Sequence, residues 1–168
     1  MEIERKFLID DFPGLPLLEE AQVYQGYLSV DPVVRIRSKD TDAGTDFKLC
    51  IKGKGSIART EVEIPITQGQ FEELKGLLKA EMVHKDYKVY ALPGGRRLEC
   101  SRVDEGSPTE FLYAEVEFTS LEEALSFPMP PFLLQDVTED PYYKMNQYWQ
   151  RKLKQRKEDT SRSVRKIP

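Results

Sequence analysis

The feature of this sequence that most constrains its fold is a set of strands with one charged face. Residues 1–9 read as a strand in which Glu2, Glu4 and Lys6 lie on one face and Phe7 lies on the other. A half-buried strand usually alternates apolar and scattered polar residues, whereas this one places two carboxylates and an ammonium in a row. Two carboxylates can hold a divalent cation, and a lysine can hold an anion beside it. The first strand therefore predicts a binding surface.

The same pattern recurs along the chain. Seven further candidate strands, separated by turn signals, cover residues 22–30, 33–39, 46–53, 58–66, 84–92, 96–103 and 111–118. Five of them carry a polar face opposite an apolar one, with the polar sets Arg35, Arg37 and Lys39; Lys48, Cys50 and Lys52; Arg59, Glu61 and Glu63; Arg97, Glu99 and Ser101; and Tyr113, Glu115 and Glu117. Eight strands in near-even succession predict a mainly β (α+β) fold, an eight-stranded closed antiparallel β-barrel.

A few helices are expected beside the barrel. Their start signals are Thr67 with Gln three residues later, Ser120 with Glu three residues later, and Asp140 followed by a proline. The apolar faces of the strands must be buried outside the barrel, and three helices are too few to cover them all. A polar-lined tunnel still explains the pattern better than a polar exterior.

Charges inside a tunnel are desolvated and need compensation. Clustered acids repel one another unless cations lie among them, and oxygen-only ligands favour Mg²⁺ or Mn²⁺. The arginines and lysines fit a polyanion, because guanidinium groups match phosphate oxygens. Metal ions together with a chain of phosphates would neutralise both sets of charges at once.

Charge and composition limit the class of protein. The 168 residues fit one domain, expected at residues 1–150. The net charge of −4 divides into +6 for residues 151–168 and −10 for the rest, and so acidic a body argues against a nucleic-acid partner. The basic tail is expected to be a helix end or a partly disordered, solvated segment. No long apolar run predicts a membrane span, and two isolated cysteines indicate the reducing cytoplasm.

The order of these motifs resembles the CYTH domain, the family of triphosphate tunnel metalloenzymes. Glu2-Ile3-Glu4-Arg5-Lys6 matches the ExExK signature of that family, and the resemblance extends from Met1 to about Trp149. Further matching segments are Gln25-Gly26-Tyr27-Leu28, Val34-Arg35-Ile36-Arg37, Ile51-Lys52-Gly53, Arg59-Thr60-Glu61-Val62-Glu63-Ile64-Pro65, Ala114-Glu115-Val116-Glu117-Phe118 and Asp136-Val137-Thr138-Glu139-Asp140.

The resemblance implies a tunnel that binds a triphosphate with Mg²⁺ or Mn²⁺. The implied metal ligands are Glu2, Glu4, Glu115 and Glu117, helped by Glu61, Glu63 and Glu99. The implied phosphate ligands are Lys6, Arg35, Arg37, Lys52 and Arg59. Lys6, Glu4 and Arg37 are the expected catalytic residues, and whether Lys6 serves the leaving group or the attacking water is left open.

Two departures from the family pattern bear on the site. The family has a Lys-x-Arg pair in the strand at 84–92, where this chain offers Lys88 as the first candidate phosphate ligand and Lys85 as the second. Many members also carry Asp at the position of Ser101. One metal ligand is therefore expected to be missing or replaced by water.

The expected function is hydrolysis of inorganic tripolyphosphate to diphosphate and phosphate. A nucleoside or thiamine triphosphatase and a class IV adenylyl cyclase remain as alternatives within the enzyme class. A non-catalytic module that binds polyphosphate or another polyanion is the alternative from a different class. The expected partner is a small-molecule triphosphate with no membrane, and a homodimer is left open.

Overall fold

The computed structural model describes the backbone of residues 1–165 and the side chains of residues 1–163. Its strands are Glu2–Leu8 (β1), Leu17–Val30 (β2), Val33–Thr41 (β3), Gly44–Lys52 (β4), Ala58–Arg59 (β5), Glu61–Pro65 (β6), Val83–Ala91 (β7), Arg97–Val103 (β8), Phe111–Glu117 (β9) and Gln135–Asp136 (β10). Its helices are Gln68–Lys75 (α1), Leu121–Ser126 (α2), Met145–Arg165 (α3) and a 3₁₀ turn at Pro141–Tyr143. No described helix combines the length and the hydropathy needed to cross a bilayer.

The strands form one antiparallel sheet that closes on itself. Neighbouring strands follow the order β10-β1-β9-β8-β7-β2-β3-β4-β6, and β5 pairs with β1. Because β5 and β6 are separated only by Thr60, the segment 58–65 joins both edges of the sheet: Arg59 pairs with Glu2, and Glu61 pairs with Lys52. Counted as one interrupted strand, this segment completes the predicted eight-stranded barrel, to which β10 is a short addition.

Helices cover part of the outer surface of the barrel. Helix α1 has the predicted capping box, in which Thr67 accepts a hydrogen bond from the backbone N–H of Gln70 and Gln70 accepts one in return. Phe71 of α1 packs on Phe47 of β4. A methyl group on Gly26 would lie 2.4 Å from Leu78, so the segment after α1 contacts the β2 backbone directly.

A second apolar layer lies over β1, β8 and β9. Phe7, Leu98 and Val116 are buried there under α2 and the segment 127–134. The helices leave the outer surface of the barrel partly uncovered beyond α1, as we expect from their small number. Three apolar side chains on the outer face of β4 and β6 stay 38–46% exposed: Ile51, Val62 and Ile64.

Helix α3 packs against one end of the barrel through Tyr148 and Trp149, which are buried with Tyr27. The last helix was predicted to begin at Asp140, but Asp140 only caps the 3₁₀ turn. Lys144 then adopts an extended conformation, and this breaks the helical path before α3.

The basic segment continues α3 as far as Arg165, so residues 151–165 are helical rather than disordered. The expected boundary between residues 150 and 151 consequently falls inside this helix. Residues 166–168, the end of the predicted tail, lie outside the described residues.

Candidate active site

The inner faces of the strands surround a cavity of about 220 Å³. The barrel alternation places the charged face of each strand inside, as the sequence predicts. Seven carboxylates line the cavity: Glu2, Glu4, Glu61, Glu63, Glu99, Glu115 and Glu117. Eight cationic side chains line it as well: Lys6, Arg35, Arg37, Lys39, Lys52, Arg59, Lys85 and Lys144.

The acids concentrate on the wall formed by β1, β8 and β9. In the strand register Glu4 lies opposite Glu117, and Glu99 lies opposite Glu115. Like charges directly opposite one another destabilise a sheet, and a bound cation would offset this repulsion. One carboxylate oxygen from each of Glu2, Glu4 and Glu117 lies within 4.8 Å of the other two. Such an oxygen-only set fits a hard divalent cation such as Mg²⁺ or Mn²⁺.

The pKa values of the tunnel acids are shifted in opposite directions, although burial raises all of them. Burial raises the pKa of Glu4 well above its usual range, and the nearby charge of Glu115 adds to the effect. Burial also raises the pKa of Glu99 to about 7 and that of Glu61 to about 7. For Glu115, burial again raises the pKa, but the nearby lysines, Lys6 foremost, and a hydrogen bond with Glu4 together outweigh it, and the pKa falls to about 2. Without metal, the acidic wall therefore holds protons near neutral pH.

Some cations are paired within the tunnel. Lys52 is almost fully buried, and its ammonium lies 3.1 Å from Glu2 and 3.3 Å from Glu61. The guanidinium of Arg59 lies 3.3 Å from the same Glu2 carboxylate. These contacts hold the Glu2 carboxylate in place.

Other cations lack such a partner. The Nε of Arg35 is buried without a hydrogen-bond acceptor in the described chain. Lys85 is buried too, and in that part of the chain no carboxylate lies within 4.0 Å of its ammonium. Burial lowers the pKa of Lys85 well below its usual value, and Arg35 lowers it further. Buried donors and charges of this kind call for an anionic ligand.

Lys6 projects from β1 into the tunnel beside the acids. Its ammonium donates a hydrogen bond to the carbonyl of Tyr143 at 2.5 Å and lies 4.0 Å from the centroid of the Tyr113 ring. Burial lowers its pKa to about 8, although Glu115 acts against this shift. The backbone N–H of Lys6 bonds to Thr138, so the segment after β10 fixes the position of β1.

Comparison with known proteins identifies the family. No family model matches the chain. It is 36% identical over 143 residues to the inorganic triphosphatase of Nitrosomonas europaea, covering 85% of this chain and 93% of that protein. The chain belongs to the CYTH family.

Solved structures of similar proteins agree with this assignment. The crystal structure of an inorganic triphosphatase superimposes with a TM-score of 0.63 at 32% identity, over 91% of this CYTH chain and 95% of that one. A proposed adenylyl cyclase from Hippeastrum with a dominant triphosphatase activity has a TM-score of 0.53 at 18% identity, over 74% of this chain and 83% of that chain. At that identity the second match supports the fold alone.

Of the predicted site residues of this CYTH protein, Lys88 alone lies outside the tunnel. Its ammonium is 3.8 Å from Glu20 and 4.6 Å from the Phe12 ring on the outer side of β7. The prediction for Lys88 is corrected accordingly, and Lys85, the second candidate, lies inside. The physical reason is strand alternation: three residues apart, the two lysines must point to opposite faces.

Several lining residues of the CYTH tunnel were missed. Tyr87 donates a hydrogen bond to Glu99 at 2.8 Å, and its position two residues after Lys85 could have revealed it. Ser101, in contrast, was predicted on the polar face of β8; it lies opposite Tyr87 and Tyr113 in the register, and its hydroxyl takes the position where many relatives were expected to carry Asp. Lys144 comes from the junction before α3, which no strand pattern could reveal.

We expect the metal-free protein to lose stability as pH rises from about 4.5 to 7, partly because of Glu99. In this range the folded carboxyl keeps its proton and the unfolded one loses it, so rising pH favours unfolding. The full pKa shift of Glu99 changes the free energy of unfolding by about 3 kcal/mol. Glu4 and Glu61 act in the same direction, whereas the shift of Lys6 acts only above about pH 8.

Thermal unfolding in the presence of a chelator, measured across this pH range, tests the prediction. A Glu99→Gln variant should show a weaker decline in unfolding temperature than the wild type. An identical pH dependence in both proteins would contradict the raised pKa of Glu99.

Proposed function

We propose that this CYTH protein hydrolyses inorganic tripolyphosphate to diphosphate and orthophosphate. The observation that carries the proposal is the meeting of an acidic wall and a basic wall in one closed tunnel. Acids alone would fit a metal site, and cations alone would fit any polyanion. The combination is what a chain of phosphates bound with metal ions needs, and the activity named for the Nitrosomonas europaea relative supports it.

The basic wall would hold the phosphates. Arg35 and Arg37 project from β3, and Lys52 and Arg59 from the neighbouring segments, with Lys85 on β7. Guanidinium groups bind phosphate oxygens through two parallel N–H donors, and ammonium groups act as point charges. The buried Nε of Arg35 would gain its missing acceptor from such a ligand.

The acidic wall would hold Mg²⁺ or Mn²⁺. Glu2, Glu4 and Glu117 form the proposed primary set, and Glu99 and Glu115 stand beside it. Glu61, Glu63 and Cys50 form a second group, in which the ligand atoms lie within 4.8 Å of one another. When bound, the cation acidifies a coordinated water and neutralises phosphate oxygens.

Lys6 and Arg37 would stabilise the negative charge that builds on the phosphoryl oxygens during transfer. Lys6 is suited to this role because its pKa, lowered to about 8, still leaves the ammonium charged at neutral pH. Its hydrogen bond to Tyr143 and the Tyr113 ring hold the ammonium in a fixed position. A pre-positioned charge needs little reorganisation as the transition state forms.

Phosphate release from tripolyphosphate, ATP and thiamine triphosphate tests the proposal. Each reaction is run with Mg²⁺, with Mn²⁺ and with a chelator, and cyclic AMP is assayed in the ATP reaction. We expect the highest kcat/KM for tripolyphosphate, no activity in the chelator and no cyclic AMP. Tight binding of tripolyphosphate without turnover of any substrate would overturn the proposal and favour a polyanion-binding module.

Lys85 and Lys88 form a matched pair for a second test. We expect Lys85→Met to lower kcat/KM for tripolyphosphate about a hundredfold, because the tunnel loses a buried cation that faces the substrate. Lys88→Met should stay near the wild-type value, since this side chain lies on the outer surface. Steady-state kinetics on both variants measures the difference. A larger loss in Lys88→Met than in Lys85→Met would contradict the placement of the two lysines.

We also propose the reducing cytoplasm as the compartment, which is supported by free, buried Cys50 and Cys100. The domain at residues 1–150 and the homodimer remain predictions. Ile51, Val62 and Ile64 form an exposed apolar strip on β4 and β6. Mutation of this strip is the first test of dimer formation.

A further inference from the structure

A second cavity, of about 350 Å³, opens beside the start of α3. We call it the side pocket. The turn between β2 and β3, the loop 53–55, the 3₁₀ turn and the first turns of α3 form its walls. It shares five lining residues with the tunnel, and the two spaces are therefore neighbours: Val33, Lys52, Arg59, Lys144 and Asn146.

The side pocket is positively charged. Four cations line it (Lys52, Lys54, Arg59 and Lys144), against one acid, Asp31. Asp31 lies 3.7 Å from Lys54 at the exposed rim. Lys52 and Arg59 are paired with carboxylates on the tunnel side, as described above. The pocket thus has an excess of positive charge where it meets the tunnel.

Lys144 carries most of this excess. Within the described residues no carboxylate lies within 4.0 Å of its ammonium, which donates a hydrogen bond to the carbonyl of Gly55 at 2.9 Å. Burial lowers the pKa of Lys144, Arg59 lowers it further, and Glu139 acts against the shift. A neutral carbonyl positions this cation without neutralising it, so the charge remains available to an anion.

Gly55 makes that positioning possible. Its φ of +143° and the 2.3 Å that would separate a Cβ from the carbonyl of Ala58 exclude a larger residue without rearrangement. The loop consequently packs directly against β5, and the carbonyl of Gly55 points toward Lys144. The cation is held at the junction of the tunnel and the side pocket.

Three amide side chains line the side pocket, those of Asn146, Gln147 and Gln150. The amide of Asn146 is engaged within the protein, where its Nδ2 donates to the Val30 carbonyl and its Oδ1 accepts from the Gln147 backbone. No aromatic ring belongs to the described lining, so a base would have no stacking surface. A compact anion fits these walls better.

We propose that the side pocket binds a phosphate group, with Lys144 as its principal ligand and Lys54 at the rim. Two sources supply this chemistry: the fourth phosphate of a linear polyphosphate that extends beyond the tunnel, or orthophosphate released by hydrolysis. The inference rests on the proposed function, because the tunnel must hold the preceding phosphates.

Kinetics with linear triphosphate, tetraphosphate and longer polyphosphates tests the inference on the full chain, with orthophosphate as an added inhibitor. For Lys144→Met we expect the ratio of KM for tetraphosphate to KM for triphosphate to rise about tenfold. A change of this size corresponds to the loss of one charge-assisted hydrogen bond. Lys54→Met, a change at a largely exposed side chain, should raise the ratio less and serves if Lys144→Met does not fold. Lys157→Met, on the exposed part of α3, is the control and should keep the wild-type ratio.

The outcomes separate the two sources. A changed chain-length ratio assigns the side pocket to the fourth phosphate. An unchanged ratio, with orthophosphate inhibition weakened about tenfold, assigns it to the released product. If neither Lys144→Met nor Lys54→Met changes either quantity, the inference is overturned. If the wild type hydrolyses none of these compounds, the proposed function fails. The side pocket is then tested separately, by calorimetry that compares the binding of tetraphosphate and triphosphate to the wild type and to Lys144→Met.

Discussion

A Glu4→Gln variant should lose tripolyphosphate hydrolysis by about a thousandfold while keeping its fold. Glutamine has the shape of glutamate but not its charge, so the set formed with Glu2 and Glu117 would lose one anionic ligand. The fold should tolerate the change, because burial and the charge of Glu115 already disfavour ionisation of Glu4 without metal. The variant should thus lose activity, whereas its stability without metal should stay unchanged or rise.

Steady-state kinetics and thermal unfolding, each with and without Mn²⁺, measure these two responses. In the wild type, Mn²⁺ should raise the unfolding temperature by preferential binding to the folded state, and this increase should shrink in Glu4→Gln. Glu20→Gln is the matched control, since Glu20 lies on the outer surface near Lys88. Full activity in Glu4→Gln would contradict the assignment of the acidic wall as the metal site.

Strand alternation explains why so much of the tunnel could be predicted from the sequence. From Glu2 to Lys6 in β1 and from Tyr113 to Glu117 in β9, every second residue is polar and, apart from Arg5, the residues between are apolar. The inner face follows once the apolar face is assigned to the outside. The separation of polar from apolar residues fails on β7, where each face carries one of the two lysines, Lys85 or Lys88, and apolar residues as well. A sequence pattern alone could not choose between them.

Features that depend on distant packing were beyond the sequence. The interruption of the closing strand at Thr60 lets β5 pair with β1 and β6 with β4, a division set by the geometry of closure. Likewise, the carbonyl of Tyr143 and the side chain of Lys144 reach the tunnel only because α3 packs on the barrel end through Trp149. Contacts made by loops and helix ends carry no periodic signal.

Lys6→Met should reduce kcat for tripolyphosphate hydrolysis by about a thousandfold, with the unfolding temperature close to that of the wild type. Methionine replaces most of the volume of the lysine stem but removes the charge that faces the tunnel. Lys6→Arg should also be impaired, because the ammonium is confined between the Tyr143 carbonyl, at 2.5 Å, and the Tyr113 ring. A guanidinium is wider and cannot take the same position.

The pH profile distinguishes the charge of Lys6 from a merely structural role. Since its pKa is lowered to about 8, the ammonium loses its proton as pH rises through this value, and the wild-type rate should fall on the alkaline side. The residual activity of Lys6→Met should lack this alkaline decline, whereas a variant that was only misfolded would keep the wild-type profile at reduced amplitude. Lys154→Met, at an exposed position of α3, provides the control for lysine replacement in general. Wild-type kcat in Lys6→Met would contradict a catalytic role for the charge of Lys6.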